Sequence, residues 1–352
     1  MTTITAPQRI ALIGAGLIGR EHAALIAAHP DATLAGIADL SDEARAFAAS
    51  LGVDCHADYR QMLDVLRPDA AIVALPNQLH LEAGLACIER RIPVLVEKPI
   101  ADTVAAAMRL VAAGEAAGVP ILVGHHRRHS PDIREAHHAI GRGDLGPLVA
   151  VAGLCLIRKH DRYFDVDWRR RAGGGPLLIN AIHDVDCLRH LCGEIDRVQA
   201  FGSSAVRGLE VEDTVAVSLR FASGALGTFL LTDAAPSPYF WETASAQALY
   251  FPGQPGDAYV VSGRRATLAV PSLDLWRHDS DGDWRDPLVR RHLHAAHASC
   301  YVAQLENLIA VARGTAAPVV SGREGAMTLA ATLAIARAMA EERTVRVAEL
   351  LG

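Results

Sequence analysis

Lys98 closes the run Val94-Leu95-Val96-Glu97-Lys98-Pro99, an apolar strand that ends on a carboxylate, an ammonium and a proline. Such a strand brings the ammonium to the carboxyl edge of a sheet, where open α/β sheets bind their ligands. Pro99 offers no N–H to a ladder and has a fixed φ, so the chain must turn there. A second stretch with chemistry in it follows Gly173-Gly174-Gly175-Pro176: Leu177-Leu178-Ile179-Asn180-Ala181-Ile182-His183-Asp184-Val185-Asp186. At roughly 100° per residue, Leu178, Ile182 and Val185 share one helix face. His183 lies opposite, with Asn180 and Asp186 each about 60° to either side. An imidazole between an amide and a carboxylate has the make-up of a general base with an orienting partner.

A third motif is Gly14-Ala15-Gly16-Leu17-Ile18-Gly19, set between an expected strand over 9–13 and an expected helix over 17–29. The next strand, 33–38, ends at Asp39, twenty positions after Gly19. The three glycines meet different demands. Gly14 permits a tight turn, Gly16 lets the backbone approach a pyrophosphate, and Gly19 allows close helix–strand packing. The anion then rests on the helix N-terminus, at Leu17 and Ile18. The Asp39 carboxylate can accept from both ribose hydroxyls and would repel a 2′-phosphate. Leu40-Ser41-Asp42 offers no Arg for one, so NAD is expected rather than NADP.

Strand and helix keep alternating. A strand over 70–74 runs into Leu75-Pro76-Asn77-Gln78-Leu79-His80, and Asn77 and His80 fall on the same edge as Lys98. The Lys98 strand follows, then a helix from about Asp102, a good N-cap, and a strand over 121–124. Repeated βα units make a doubly wound parallel sheet. After about residue 146 the pattern changes. Val215, Val217, Leu219 and Phe221 alternate with small or polar residues, and Ser223-Gly224 turns the chain into a partner strand over 225–231. A second pair runs over 258–261 and 266–270, and helices near 299–313 and 324–342 close the chain. The expected fold is therefore an N-terminal Rossmann domain over 1–124, followed by an α+β domain over 125–352. The second domain should carry a large open antiparallel sheet with helices on one face.

Composition narrows the partners. Charged residues make up 21% of 352 and hydrophobic residues 51%, an ordinary globular mix. The net charge is −6 with no long basic run, which argues against nucleic acid and anionic membranes. Residues 1–7 lack a basic and then apolar leader, and no apolar run reaches membrane-spanning length. Six cysteines show no CxxC pair, as expected of small core residues in a reducing cytoplasm. The histidine runs at 125–129 and 292–297 lack acid or Cys partners at metal-site spacing, so no metal is expected.

Together these segments resemble the glucose–fructose oxidoreductase / inositol dehydrogenase (Gfo/Idh/MocA) family over nearly the whole chain. The resemblance rests on the glycine motif, Pro76-Asn77-Gln78-Leu79-His80, Glu97-Lys98-Pro99, Gly124-His125-His126-Arg127-Arg128-His129-Ser130-Pro131, and Gly173-Gly174-Gly175 leading to His183-Asp184-Val185-Asp186. It implies reversible oxidation of a ring hydroxyl in a sugar, cyclitol or related diol, with Lys98 and His183 at the family's catalytic positions. Candidate cofactor contacts are Gly14, Gly16, Leu17, Ile18, Gly19, Asp39, Pro76, Asn77, His80, Glu97 and Lys98. Candidate substrate contacts are Lys98, Arg128, Lys159, Trp168, Arg169, Asn180 and His183. The family often places an Asp one helical turn before the His, where this chain has Ile179, which leaves Asp186 to orient His183 as a catalytic partner. The cations Arg128, Arg158, Lys159 and Arg169 suggest an alternative, a dehydrogenase of a carboxylated cis-dihydrodiol of the phthalate-dihydrodiol type. A non-catalytic NAD-sensing regulator is a further alternative, which retention of Lys98 and His183 opposes. Apolar or small residues on both sides of the sheet strands point to a homodimer or homotetramer built through that sheet.

Overall fold

The computed structural model describes residues 6–247, 251–279 and 281–352; most of the stretch scanned for a leader lies outside them. Two compact units form. One comprises the chain up to His126 together with Tyr301–Leu329, the other Arg127–Cys300 with Ala330–Gly352. The sequence suggests a single division after residue 124, which does not include the return of Tyr301–Leu329 to the first unit. The cause is apolar: α9 (Cys300–Ala312) buries Leu305, Leu308 and Ile309 in the same core as Ile10, Leu12, Ile72 and Leu95.

The first unit is a six-stranded sheet of β1 (Gln8–Ile13), β2 (Ala32–Ala38), β3 (Cys55–His56), β4 (Ala70–Val73), β5 (Val94–Val96) and β6 (Ile121–Val123). Its strand order is β3-β2-β1-β4-β5-β6 with every pair parallel. That is the doubly wound order, whose direction reverses between β1 and β4 and opens a ligand crevice at their carboxyl ends. The crossovers are α1 (Leu17–Ala28), α2 (Asp42–Ser50), α3 (Tyr59–Leu66), α4 (His80–Glu89) and α5 (Val104–Ala117). Strand residues Ile10, Leu12, Ile72, Leu95 and Leu122 are buried, as expected of a parallel sheet covered on both faces. The N-cap of α5 is Thr103, whose hydroxyl accepts from the Ala106 N–H at 3.2 Å, one residue beyond the expected Asp102.

The second unit carries a nine-stranded sheet: β7 (Leu148–Leu156), β8 (Ile195–Ser203), β9 (Thr214–Phe221), β10 (Leu226–Thr232), β11 (Tyr259–Gly263), β12 (Ala266–Val270), β13 (Asp274–Arg277), β14 (Val289–His292) and β15 (Val345–Arg346). The order is β14-β13-β12-β11-β7-β10-β9-β8-β15. Among the described residues of this sheet, only β7 and β10 pair in parallel. The two expected hairpins are both present, with Leu226 opposite Arg220 in one and Tyr259 opposite Val270 in the other. Val215, Val217, Leu219 and Phe221 point to a buried face. On that face Gly153 leaves room for Phe229 and for Leu188, a residue of the helix α7 (Ile182–Cys192). The helix α6 (Pro131–Gly141) packs against α7. The opposite face shows Ala150, Ala152, Ser218, Leu226, Thr228 and Val260, all exposed. The remaining helices are the short α8 (Trp241–Ser245) and the long α10 (Gly322–Glu341). No helix among the described residues is long and apolar enough to cross a membrane.

Candidate active site

The carboxyl edge of the first sheet starts with Gly14. Its φ of +98° is open to glycine, and a Cβ there would stand 2.5 Å from the Ala74 carbonyl oxygen. Gly19 packs on the same turn: a Cβ would meet the Gly14 carbonyl oxygen at 2.1 Å. Gly16 differs, because a Cβ there would meet nothing within 4 Å. It is also the N-cap of α1 and has no side chain to cap the first turn, so the N–H groups that open the helix at Leu17 and Ile18 suit an anion. Asp39 completes the set. One carboxylate oxygen accepts from the Ala15 N–H at 2.8 Å, and the other accepts from the Ser41 N–H and hydroxyl at 2.9 and 2.8 Å. Burial pulls the Asp39 pKa up, but these hydrogen bonds outweigh it and hold the carboxyl below its usual range. An ionised acid at the end of β2 and a bare helix start at Gly16 fit the ribose and the pyrophosphate of NAD. One cation escapes the sequence reading: Arg45, a turn into α2, folds back to the Leu40 carbonyl at 3.3 Å and is held by Asp42 at 2.7 Å.

Pro76 and Asn77 lie past the end of β4, exposed and half-buried respectively, at the expected ligand edge. His80 does not face that edge. It is fully buried, with Nδ1 2.8 Å from the Pro99 carbonyl oxygen and Nε2 2.7 Å from that of Leu75. A neutral ring can donate through only one of these nitrogens. Burial lowers the ring's pKa, and the two carbonyls oppose that shift. Its expected cofactor contact is therefore corrected: His80 ties the loop after β4 to the loop after β5. Glu97 is corrected in the same way. It is 7% exposed, accepts from the His22 ring at 2.8 Å and takes the Lys98 N–H at 3.1 Å. Burial raises the Glu97 carboxyl, but His22 and Lys98 outweigh it and hold it below the usual range. Lys98 itself is half-buried just beyond β5, on backbone fixed by these two braces. The sequence does not reveal His22, because its partner lies 75 residues away.

In the second unit, the helix that carries His183 is not uniform. Leu177–Ala181 form a π-helical turn before α7 begins at Ile182. A π-turn adds a residue to the helical circuit and is frequent at functional sites. The constant 100° phase therefore fails on the N-terminal side of His183, where Ile179 and Asn180 are both half-buried. His183 itself is 6% exposed. Asp186 makes a fork-to-fork ion pair with Arg128: Nε and Nη2 each donate to one carboxylate oxygen at 2.7 Å. Both side chains are buried, at 3% exposure for Arg128 and 1% for Asp186. The pair joins two expected site residues to each other: Asp186, expected to orient His183, and Arg128, expected to contact substrate. Next to it, Arg127 donates to Asp184 at 2.8 Å and to Glu242 at 3.1 Å, while the Tyr259 hydroxyl donates to Asp184 at 2.6 Å. Adjacent arginines thus meet alternate acids of one helix, and the network holds α7 in the core.

The other expected substrate contacts gather around Asn180. The Lys159 ammonium donates to its Oδ1 at 2.7 Å and stands 3.4 Å from Asp233. Burial pulls the Lys159 pKa down, against the pull of Asp233. The Arg169 guanidinium lies 4.0 Å over the Tyr163 ring and 5.4 Å from that of Trp168, which is 52% exposed.

Comparison with known proteins agrees with this geometry. A family model described as the NAD-binding Rossmann fold of the Gfo/Idh/MocA oxidoreductases matches residues 8–125, and the model of that family's C-terminal domain matches residues 133–269. The chain is 28% identical to myo-inositol 2-dehydrogenase of Thermotoga maritima over 98% of this chain and 100% of the relative. It is 29% identical to 1,5-anhydro-D-fructose reductase of Ensifer adhaerens, over 95% and 96%. The WlbA dehydrogenase of Bordetella pertussis, solved with NADH and UDP-GlcNAcA, superposes with a TM-score of 0.80 at 26% identity, covering 97% of this chain and 98% of that one.

Proposed function

Because the chain belongs to the Gfo/Idh/MocA family of NAD-binding oxidoreductases, we propose that it reversibly oxidises a secondary ring hydroxyl of a sugar, cyclitol or sugar-acid-like substrate. Lys98 and His183 assist proton transfer in this reading. Residues 1–124, with 301–329 packed into the same unit, serve the cofactor, and the rest of 125–352 serves the substrate and the contacts between subunits. The observation that carries the proposal is the braced Lys98. An ammonium on a loop fixed by buried Glu97–His22 and His80 contacts stands at the same sheet edge as Gly16 and Asp39. Bound NAD supplies the hydride acceptor. Lys98 hydrogen-bonds the substrate oxygen and stabilises the negative charge that develops on it. His183 takes the hydroxyl proton as the carbinol C–H bond breaks and the C=O bond forms. The relatives carry the names of a cyclitol dehydrogenase and a sugar reductase, which supports the same substrate class. The exposed face of the nine-stranded sheet, with Leu226, Leu230 and Val260 among small residues, is the surface a second copy would cover. The test is a panel of cyclitols, aldoses, sugar acids and dihydrodiols assayed for NADH formation. Turnover of a ring hydroxyl supports the reading, and NAD binding without turnover of any class would favour a regulator.

A further inference from the structure

Around one ring of the second unit, two cations meet and, among the described residues, only one of them has an acid beside it. Tyr163 lies between two cations, the Lys159 ammonium 4.5 Å and the Arg169 guanidinium 4.0 Å from its centroid. Lys159 shares its nearest acid. Asp233, 1% exposed, is bonded by Arg207 through one carboxylate oxygen and its backbone carbonyl, and stands 3.4 Å from Lys159 through the other oxygen. Glu212 is the second acid here. It accepts the Leu177 N–H at 2.9 Å, and burial pushes its carboxyl up. Lys159 and Arg207 thus divide Asp233 between them, while Asp213, the next buried acid, accepts from the Val206 and Arg207 N–H groups at 2.9 and 3.1 Å.

Arg169 is the cation without an acid. Among the described residues no acid pairs with it; one of its N–H groups donates to the Tyr163 carbonyl at 3.0 Å, and its buried Nε has no acceptor. A buried guanidinium N–H without an acceptor is costly, and like charges on one ring repel. Both problems disappear if an anion binds. The neighbourhood also ties the cluster to the reaction: Lys159 is bonded to Asn180, three positions before His183 in the chain. Half-exposed Trp168 adds a flat apolar wall beside Arg169, of the kind that receives a ring.

We propose that Arg169 and Lys159 hold a carboxylate of the substrate, so that the molecule oxidised is a carboxylated sugar or cyclitol, as in a uronate. This rests on the oxidoreductase reading above and narrows its substrate class. The planar fork of Arg169 matches a carboxylate, and Lys159 on the other side of the Tyr163 ring adds a second donor.

The experiment pairs D-glucuronate with D-glucose and D-galacturonate with D-galactose, assayed with NAD for kcat/KM. The melting temperature is read with each compound alone. We expect at least one acid to exceed its neutral parent by about 10- to 100-fold in kcat/KM, the scale of a charge-assisted hydrogen bond, and Arg169→Met to collapse that ratio. Lys159→Gln is the second variant, should Arg169→Met fail to fold. Neutral parents turned over as well as or better than both acids would overturn the carboxylate assignment while leaving the oxidoreductase standing. Better use of glucose 6-phosphate than of glucuronate would overturn it in favour of a phosphate. If no compound is turned over, the melting temperatures decide: glucuronate that stabilises the wild type but not Arg169→Met supports the anion site, and equal or absent stabilisation removes it.

Discussion

Asp186→Asn separates a structural acid from a catalytic one. Asp186 and Arg128 are buried to 1% and 3% exposure and share two hydrogen bonds of 2.7 Å. The substitution removes the negative charge but keeps the shape, taking from the buried guanidinium the carboxylate it forks. Breaking a buried pair from one side costs about 3–5 kcal/mol. For a domain of about 150–250 residues, at about 2–4 °C per kcal/mol, that is a fall in Tm on the order of 10 °C. Removing both charges with Arg128→Met and Asp186→Leu should recover much of the loss, because an apolar pair leaves no buried ion. The assay is thermal and urea unfolding together with kcat of the folded fraction at low temperature. A variant with unchanged Tm whose kcat falls about 100-fold would refute the reasoning and return Asp186 to the role of orienting His183.

Three further outcomes follow from the first unit and the sheet. Asp39→Ala should narrow the preference for NAD over NADP in kcat/KM by about 10-fold or more, since the charged acceptor for the ribose goes and Arg45 stays beside the turn; an unchanged ratio would show that the acid does not set the choice. Glu97 is held below its unfolded pKa of about 4.3, so its stabilisation is present above that pH and is lost as pH falls through the lower folded value. The Tm gap between wild type and Glu97→Gln should therefore be full at pH 7 and close in acid, and a gap independent of pH would contradict a carboxylate held by the His22 and Lys98 hydrogen bonds. Light scattering at micromolar concentration should give at least twice the chain mass of 37.4 kDa, and a monomer would mean the exposed sheet face has no partner copy.

What the sequence revealed was whatever depends on short-range backbone demands. Gly14 and Gly19 are required by one turn, Gly16 leaves the helix start bare, and Asp39 stands at the end of the adjacent strand, so type and spacing sufficed. Alternation along 215–221 gave β9 and its partner β10 because a half-buried strand has a fixed period. What escaped depends on chain folding over long separations. His80 looks like a helix-start residue at a ligand edge, and only the meeting of the loops at Leu75 and Pro99 shows it buried between carbonyls. Arg128 finds Asp186 across 58 residues, and nothing local distinguishes that arginine from a solvated one. The helix phase around His183 failed for a different reason: a constant rotation cannot anticipate the π-turn over Leu177–Ala181.

The most direct test of the account is His183→Ala, with kcat and NAD affinity measured on the same preparation. Loss of about 100-fold or more in kcat, with NAD affinity close to that of the wild type, is the predicted result, because the proposed reaction has His183 take the substrate proton and the residue belongs to the second unit. A variant that turns over like the wild type would contradict the account and place the base elsewhere.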